Sequence, residues 1–207
     1  MSEKANFSNI YNFYDLINTF LTLGFDKSWR EKAADNLVGT SVLDLGSGTG
    51  AAFDQLLNYE TTAIDPDKKM LELNTFENKV LGSAENLPFE DNSFDNVFCS
   101  FVWRNVSDTN KALEEVHRVL RPGGKFILLD MTRPKNSFLK MLHKIGTFKV
   151  LHLIGLLTFN LKEYRFLYKS LDFYPQPENH LKKDTFIDLQ IERMGLFNFV
   201  YLAVFTK

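Results

Sequence analysis

From residue 41 onward the chain alternates between two textures. Short, nearly unbroken apolar runs ("SVLDLG", "TTAID", "KVLG", "FDNVFCS", "KFILLDM") are separated by stretches such as "PDKKMLELN" and "ALEEVHRVL", whose apolar residues recur at helical spacing. Strands without an outward polar face are buried on both sides, which calls for a parallel sheet covered by helices. The expected fold is therefore α/β, a Rossmann-like, mostly parallel sheet with helices on both faces and ligands at the carboxyl ends of the strands. Ahead of it, Ile10, Phe13, Tyr14, Ile17, Phe20 and Leu21 share a helical face over residues 7–23, and "KSWREKAADNL" reads as a second helix. Over residues 136–194 the alternation stops, and "NSFLKMLHKIGTFKVLHLIGLLTFNL", "KEYRFLYKSLDFY" and "HLKKDTFIDLQIERMG" predict a helical cap inserted before a closing strand, "FNFVYLAVFTK". No repeat or Pro/Gly/Ser linker divides the chain. The expectation is one domain: N-terminal helices over 1–38, the sheet core over 41–131, the cap over 136–194 and a C-terminal strand over 196–207.

Composition narrows the partners. With 207 residues, a net charge of −2 and no dense Lys/Arg block, nucleic acid is not the expected ligand. Cys99 is the one cysteine, which excludes an internal disulfide, and no zinc-type Cys/His spacing marks a metal site. Twenty phenylalanines can furnish an apolar ligand cavity as well as a core. The N-terminus lacks a basic segment followed by an apolar run, so the expected location is cytoplasmic. "VLHLIGLLTFNL" is too short to span a bilayer. Lys140, Lys144 and Lys149 among long apolar residues suit a lid over the active site, or a surface resting on an anionic membrane.

"VLDLGSGTG" sets Gly46, Gly48 and Gly50 between a strand and a helix, where the backbone can approach a ligand and helix N–H groups face it. The dinucleotide pattern is formally allowed, because Ala51 stands at its third position. Asp44 discriminates: a carboxylate two residues before the first glycine would repel a pyrophosphate but suits an ammonium or sulfonium, favouring S-adenosylmethionine. Asp65 ends the second strand, placed to accept from both ribose hydroxyls. Met70 is read either as packing on adenine or as helix-to-core filler, and Ser83, Ala84 and Glu85 could frame the adenine edge.

In this order and spacing, "VLDLGSGTG", "IDPDKKML", "GSAENLPFEDNSFDNVFCSF" and "EVHRVLRPGGKFILLD" resemble the successive motifs of class I SAM-dependent methyltransferases. "YDLINTFLTLGFDKSWR", "FVWRNVSDTNKALEEVHRVLRPGG" and "YRFLYKSLDFYPQPENHL" are similar to stretches of the ubiquinone/menaquinone biosynthesis C-methyltransferases, whose R-N-V-[TS]-D segment is matched by Arg104, Asn105, Val106, Ser107 and Asp108. The resemblance implies cofactor contacts from Gly46, Ser47, Gly48, Gly50 and Phe53, and from Asp65, Ser83, Ala84 and Ser100, with Tyr14 near the methyl-transfer site. It implies an apolar quinol as the small-molecule acceptor, with peripheral membrane contact and a homodimer as further options. Trp103 stands where that family usually has Leu and is expected to reshape the acceptor pocket; after Gly195 too little chain remains for the family's usual strand pair.

Methyl transfer to a ring carbon needs the neighbouring phenol ionised, and a phenol's ordinary pKa is about 10. Arg104 is the candidate to stabilise that oxygen and Asn105 to orient it; the competing structural reading pairs Arg104 with an acid and makes Asn105 a helix cap. The four histidines form no dyad with a carboxylate by spacing and are read as structural or exposed, with His143 or His152 as a pocket-lining alternative. Two other functions stay open: an O- or N-methyltransferase for another small molecule, and a non-catalytic SAM-binding protein.

Overall fold

The computed structural model describes residue 22 and residues 24–157, 161–181 and 185–207. The expected helix over 7–23 falls, apart from Thr22, outside the described residues, and so does Tyr14. The described elements are α1 (Asp26–Ala34), β1 (Ser41–Leu45), α2 (Phe53–Leu56), β2 (Glu60–Asp65), α3 (Lys68–Leu73), β3 (Asn78–Leu81), β4 (Phe94–Ser100), α4 (Thr109–Val119), β5 (Leu120–Met131), α5 (Ser137–Leu157), α6 (Leu161–Phe173), α7 (Pro177–His180), β6 (Asp188–Met194) and β7 (Val200–Thr206). Side-chain caps start three helices where the sequence changes texture. Asp67 accepts from the amides of Lys69 and Met70, Asp108 from that of Lys111, and Asn136 from those of Phe138 and Leu139.

The strands form one sheet in the order β3-β2-β1-β4-β5-β7-β6. β1 to β5 pair in parallel, and β7 runs antiparallel to both β5 and β6. This is the Rossmann-like architecture of class I methyltransferases. Apolar residues fill both faces: Leu43, Val97, Leu128 and Tyr201 face one core with α4, while Val42, Phe98, Leu129 and Leu202 face the other with Trp29 and Ala33 of α1. The chain leaves β1 for β2 and β3, then returns to β4 on the other flank of β1, so the strand order reverses between β1 and β4. Loops diverge at such a point and open a crevice at the strand ends.

One segment departs from the sequence expectation. Residues 188–194, expected at the end of the helical cap, form strand β6, and the supposedly missing strand pair is present as the β6–β7 hairpin around Gly195. β6 is an edge strand whose solvent side keeps Asp188, Gln190 and Glu192. Gln190 and Glu192, good helix formers, masked the alternating, half-buried Leu189 and Ile191.

Candidate functional site

Two loops meet at the switch point. The first follows β1, where Gly46, Gly48 and Gly50 have φ of 71°, 54° and 89°, a left-handed backbone that side-chain-bearing residues adopt at a cost. A Cβ on Gly46 would run into Val102 of the opposite loop, so that glycine also sets how closely the two loops approach. Asn74, at the end of α3, staples the turn: its Nδ2 donates to Ser47 Oγ at 2.8 Å and to the Gly48 carbonyl at 2.9 Å, while its Oδ1 accepts from the Phe76 amide.

Beneath the turn lie two carboxylates. Asp44 is buried, accepts from Ser47 Oγ at 2.5 Å and has its pKa raised to about 6, chiefly by burial; the Ser47 hydrogen bond and the nearby Arg30 guanidinium oppose the shift, and Asp65 adds to it. Asp65 ends β2, accepts from the amides of Gly48 at 2.9 Å and Asp67 at 2.8 Å, and is likewise raised by burial. Each of its oxygens keeps a further lone pair for a donor from a ligand. Ser47 and Gly48 are drawn into this network by these bonds, and a Cβ on Gly48 would sit 3.5 Å from Met70 Sδ. Met70 is buried and lies against the glycine turn, so its core-packing and loop-facing roles coincide. Phe53 packs edge-on against Phe76 at 5.0 Å, behind the turn. Buried carboxylates under a left-handed turn present what a sulfonium and a ribose require: negative charge in a place of low dielectric, and free acceptor lone pairs.

The second loop follows β4. Ser100 accepts from Arg30 Nε at 3.3 Å; the Arg30 guanidinium also pairs with Asp26 at 2.8 Å and lies over the Phe101 ring at 5.1 Å. Phe101 itself is a non-glycine residue at φ 61°, a strained conformation of the kind that persists where the surroundings over-determine it. A 3-10 turn over Trp103–Asn105 comes next, and Asp130 of β5 holds it: one carboxylate oxygen accepts from the Arg104 amide at 2.9 Å, the other from the Arg104 guanidinium and from the Met131 amide at 2.7 Å. Ser83 bridges Asn86 and Ala84 is buried at the third loop, whose Glu85 accepts from the amide of Ser107 at 3.0 Å, tying the β3 end to the β4 end.

The residues of this turn are placed as follows. Arg104 does not present its charge to open space: its side chain is 2% exposed and paired with the fully buried Asp130, because an unpaired buried guanidinium would be strongly unfavourable. Trp103 is fully buried and packs against Phe126 in the core. Asn105 does not cap α4, a task taken by Asp108, and its Oδ1 is buried with no hydrogen-bond partner among the described residues. The histidines are structural: His143 Nδ1 accepts from Arg133 at 3.2 Å, and burial beside that cation lowers its pKa to about 4. His152 stacks on Phe148, His117 meets Phe186 edge-on and His180 contacts Thr109.

Arg30, Asn74 and Asp130 were not singled out in the sequence. Asp130 was findable, since "KFILLD" repeats the apolar-run-then-acid pattern of "VLD" and "AID". Arg30 and Asn74 act through tertiary contacts that no local pattern announces.

Comparison with known proteins adds to this geometry. The ubiE/COQ5 methyltransferase family is matched over residues 3–199. The ubiquinone/menaquinone biosynthesis C-methyltransferase UbiE of Rickettsia bellii is 36% identical over 193 aligned residues, covering 83% of this chain and 78% of the relative. The corresponding protein of Rickettsia felis is 35% identical over the same coverage. Among solved structures, a SAM-dependent methyltransferase of Thermotoga maritima superposes with a TM-score of 0.68 at 20% identity, covering 98% of this chain and all of its own. One from Aquifex aeolicus gives 0.57 at 17% identity, covering 97% and 98%. At such identities the structures show likeness of fold alone.

Proposed function

The chain belongs to the ubiE/COQ5 methyltransferase family and is a SAM-dependent methyltransferase, and from that premise we propose that its acceptor is a ring carbon of a demethylated menaquinol- or ubiquinol-type hydroquinone. One observation carries the finer reading: the family match continues past the nucleotide-facing loops, through the helices α5 and α6 and the β6 strand, to residue 199. That is the part of the chain in which methyltransferases with other acceptors are free to differ.

The residues fit the cofactor. Asp44 would supply a buried negative charge for the sulfonium-bearing amino-acid end, Asp65 would accept from the ribose hydroxyls, and Gly46 to Gly50 would let the backbone come close; Ser83, Ala84 and Met70 would border the adenine, and Phe53 and Ser100 would complete the wall. S-adenosylmethionine supplies an electrophilic methyl group on a positively charged sulfur. The protein's own task is alignment and exclusion of water. Asn105 would contact the acceptor: its buried carbonyl oxygen has no partner among the described residues, leaving such a group unmatched costs about 1–3 kcal/mol, and a hydroquinone hydroxyl would satisfy it. Arg104 and Asp130 act on the acceptor through Asn105, by fixing the turn on which it stands. Tyr14 keeps the role near the methyl-transfer site that the family resemblance implies. An acceptor of this class resides in a bilayer, so the reading brings peripheral membrane contact with it.

The test is incubation with methyl-labelled S-adenosylmethionine and a set of short-chain demethylated quinols, followed by mass analysis of the product. A methyl group on ring carbon supports the proposal. Methylation confined to oxygen, or turnover only with acceptors that are not quinols, overturns it.

A further inference from the structure

Helix α5 (Ser137–Leu157) is built inside out. Its inward side carries polar groups: Thr147 Oγ1 accepts from Arg133 at 2.7 Å, His143 Nδ1 accepts from the same guanidinium, and Lys144 pairs with Asp172 of α6 at 3.3 Å. Arg133 is itself buried, with its Nε donating to Asp172 at 2.8 Å. Lower down, Leu151 is buried, Gly155 packs closely on Leu161 and Tyr164 of α6, and the helix is held along its length. The outward side carries Phe138, Met141, Leu142, Ile145, Leu153 and Leu156, each between 41% and 62% exposed. Their spacing places them in one stripe, about 30 Å long at 1.5 Å per residue. A surface helix ordinarily turns such a stripe to the core.

Charge along the helix points to the occupant. "SFLKMLHKIGTFKVLHLIGLL" has three lysines and no carboxylate, on a chain whose net charge is −2. Lys149 is exposed within the stripe and has no carboxylate partner among the described residues. An outward apolar stripe that includes Lys149, on a helix with lysines and no carboxylate, fits a surface that is apolar within and anionic at its rim. No helix of the described residues is long and apolar enough to cross a membrane, so the stripe lies along the surface instead of spanning it. We propose that the outward face of α5 is the membrane-docking surface of the protein, seating it on an anionic bilayer with the helix in the plane of the headgroups. This deepens the quinol reading, on which it rests for the reason to dock: the acceptor would then reach the strand-end crevice from the bilayer without crossing bulk water.

The experiment uses the full chain and its Ile145→Asp/Leu153→Asp variant, both positions being exposed and neither among the site residues described above. Sedimentation with vesicles of phosphatidylcholine alone, or of phosphatidylcholine with phosphatidylglycerol, reads docking. The parent should bind the anionic vesicles at least tenfold more tightly than the neutral ones, with affinity falling as salt rises, and the variant should lose at least tenfold on anionic vesicles. An unchanged far-UV spectrum and S-adenosylmethionine-induced thermal shift show the variant to be folded. Methylation of a short-chain, water-soluble quinol should be equal in the two, while that of a long-tailed quinol in vesicles should fall in the variant. Binding to neither vesicle, equal binding by parent and variant, or a concentration-dependent dimer that the variant abolishes would overturn the docking proposal. Docking as expected, without ring methylation of any quinol, would overturn the acceptor reading and leave the surface standing.

Discussion

Asp44 illustrates how a residue whose charge is unfavourable to the empty fold can be expected to serve the bound one. Its pKa in the folded chain is about 6, against an ordinary 3.8, so the fold prefers the protonated form. The stabilising contribution is therefore present in full below the unfolded value and is lost as pH rises from about 4 through 6, an effect of ~3 kcal/mol at 1.36 kcal/mol per tenfold change in proton affinity. A bound cation favours the ionised form, so S-adenosylmethionine affinity is expected to be constant above pH 6 and to weaken below it, approaching tenfold for each pH unit. Calorimetric titration across that range checks this; a flat profile would remove Asp44 from the site. Asp44→Asn keeps an acceptor for Ser47 and discards the charge. Without ligand, its melting temperature at pH 8 should equal or exceed the parent's, while S-adenosylmethionine binds at least tenfold more weakly. Asn105→Ala is expected to be nearly neutral for stability, since the lost oxygen has no described partner, and to lower quinol turnover by one to two orders of magnitude with cofactor affinity retained. Both residues were legible in the sequence, one from its place before the glycines and the other from the R-N-V-S-D segment.

At the level of elements, the functional turn after β4 is held by its neighbour β5, and this is where reading the chain alone reached its limit. The parallel strands β1, β2, β4 and β5 and the glycine turn follow from local pattern, because buried strands and left-handed turns draw on few residue types. The Arg104–Asp130 pair joins positions 26 apart and depends on the register of β4 against β5, which no local pattern encodes. Sequence alone left Arg104 with two readings, a cation for the acceptor or half of an ion pair, and the structure shows the ion pair, with Asp130. β6 was misread for a related reason: an edge strand keeps polar, helix-favouring residues outward, so its alternation is shallow. The pair gives an element-scale expectation. Arg104→Met leaves the buried Asp130 without its counter-ion, at a cost of about 3–5 kcal/mol, whereas adding Asp130→Leu removes that carboxylate and should restore part of the stability, the remainder being lost because the Arg104 and Met131 amides give up their acceptor. The double variant should still lose quinol turnover, because the carboxylate no longer holds the turn. Denaturant titration of the two variants decides: equal stabilities would mean that the pair is not coupled.

For the whole molecule, the consequential fact is that the last strand in sequence is not the last in the sheet. β7 lies between β5 and β6, paired in register with β5 from Lys125–Thr206 to Met131–Val200 and with β6 from Asp188–Thr206 to Met194–Val200. Val200, Tyr201, Ala203 and Phe205 are buried, and they contribute to both cores. Truncation after Phe199 would thus do three things at once: leave β6 without a partner, open the long edge of β5 and empty part of the core on either face. An exposed apolar edge strand is a template for aggregation. The same strand β5 carries Asp130, so its loss of order would reach the turn at Asn105 and the catalytic crevice. The truncated chain is expected in the insoluble fraction, with no S-adenosylmethionine-induced thermal shift after refolding. Removing Lys207 alone forfeits its side-chain bonds to the Leu120 carbonyl at 2.6 Å and to Asn92 at 3.0 Å and its backbone bonds with Gly123 and Gly124, and should lower the melting temperature by a few degrees with cofactor binding intact. If the chain ending at Phe199 were soluble and bound S-adenosylmethionine, the sheet would have to close without β7, and the link between that strand and the site would be lost.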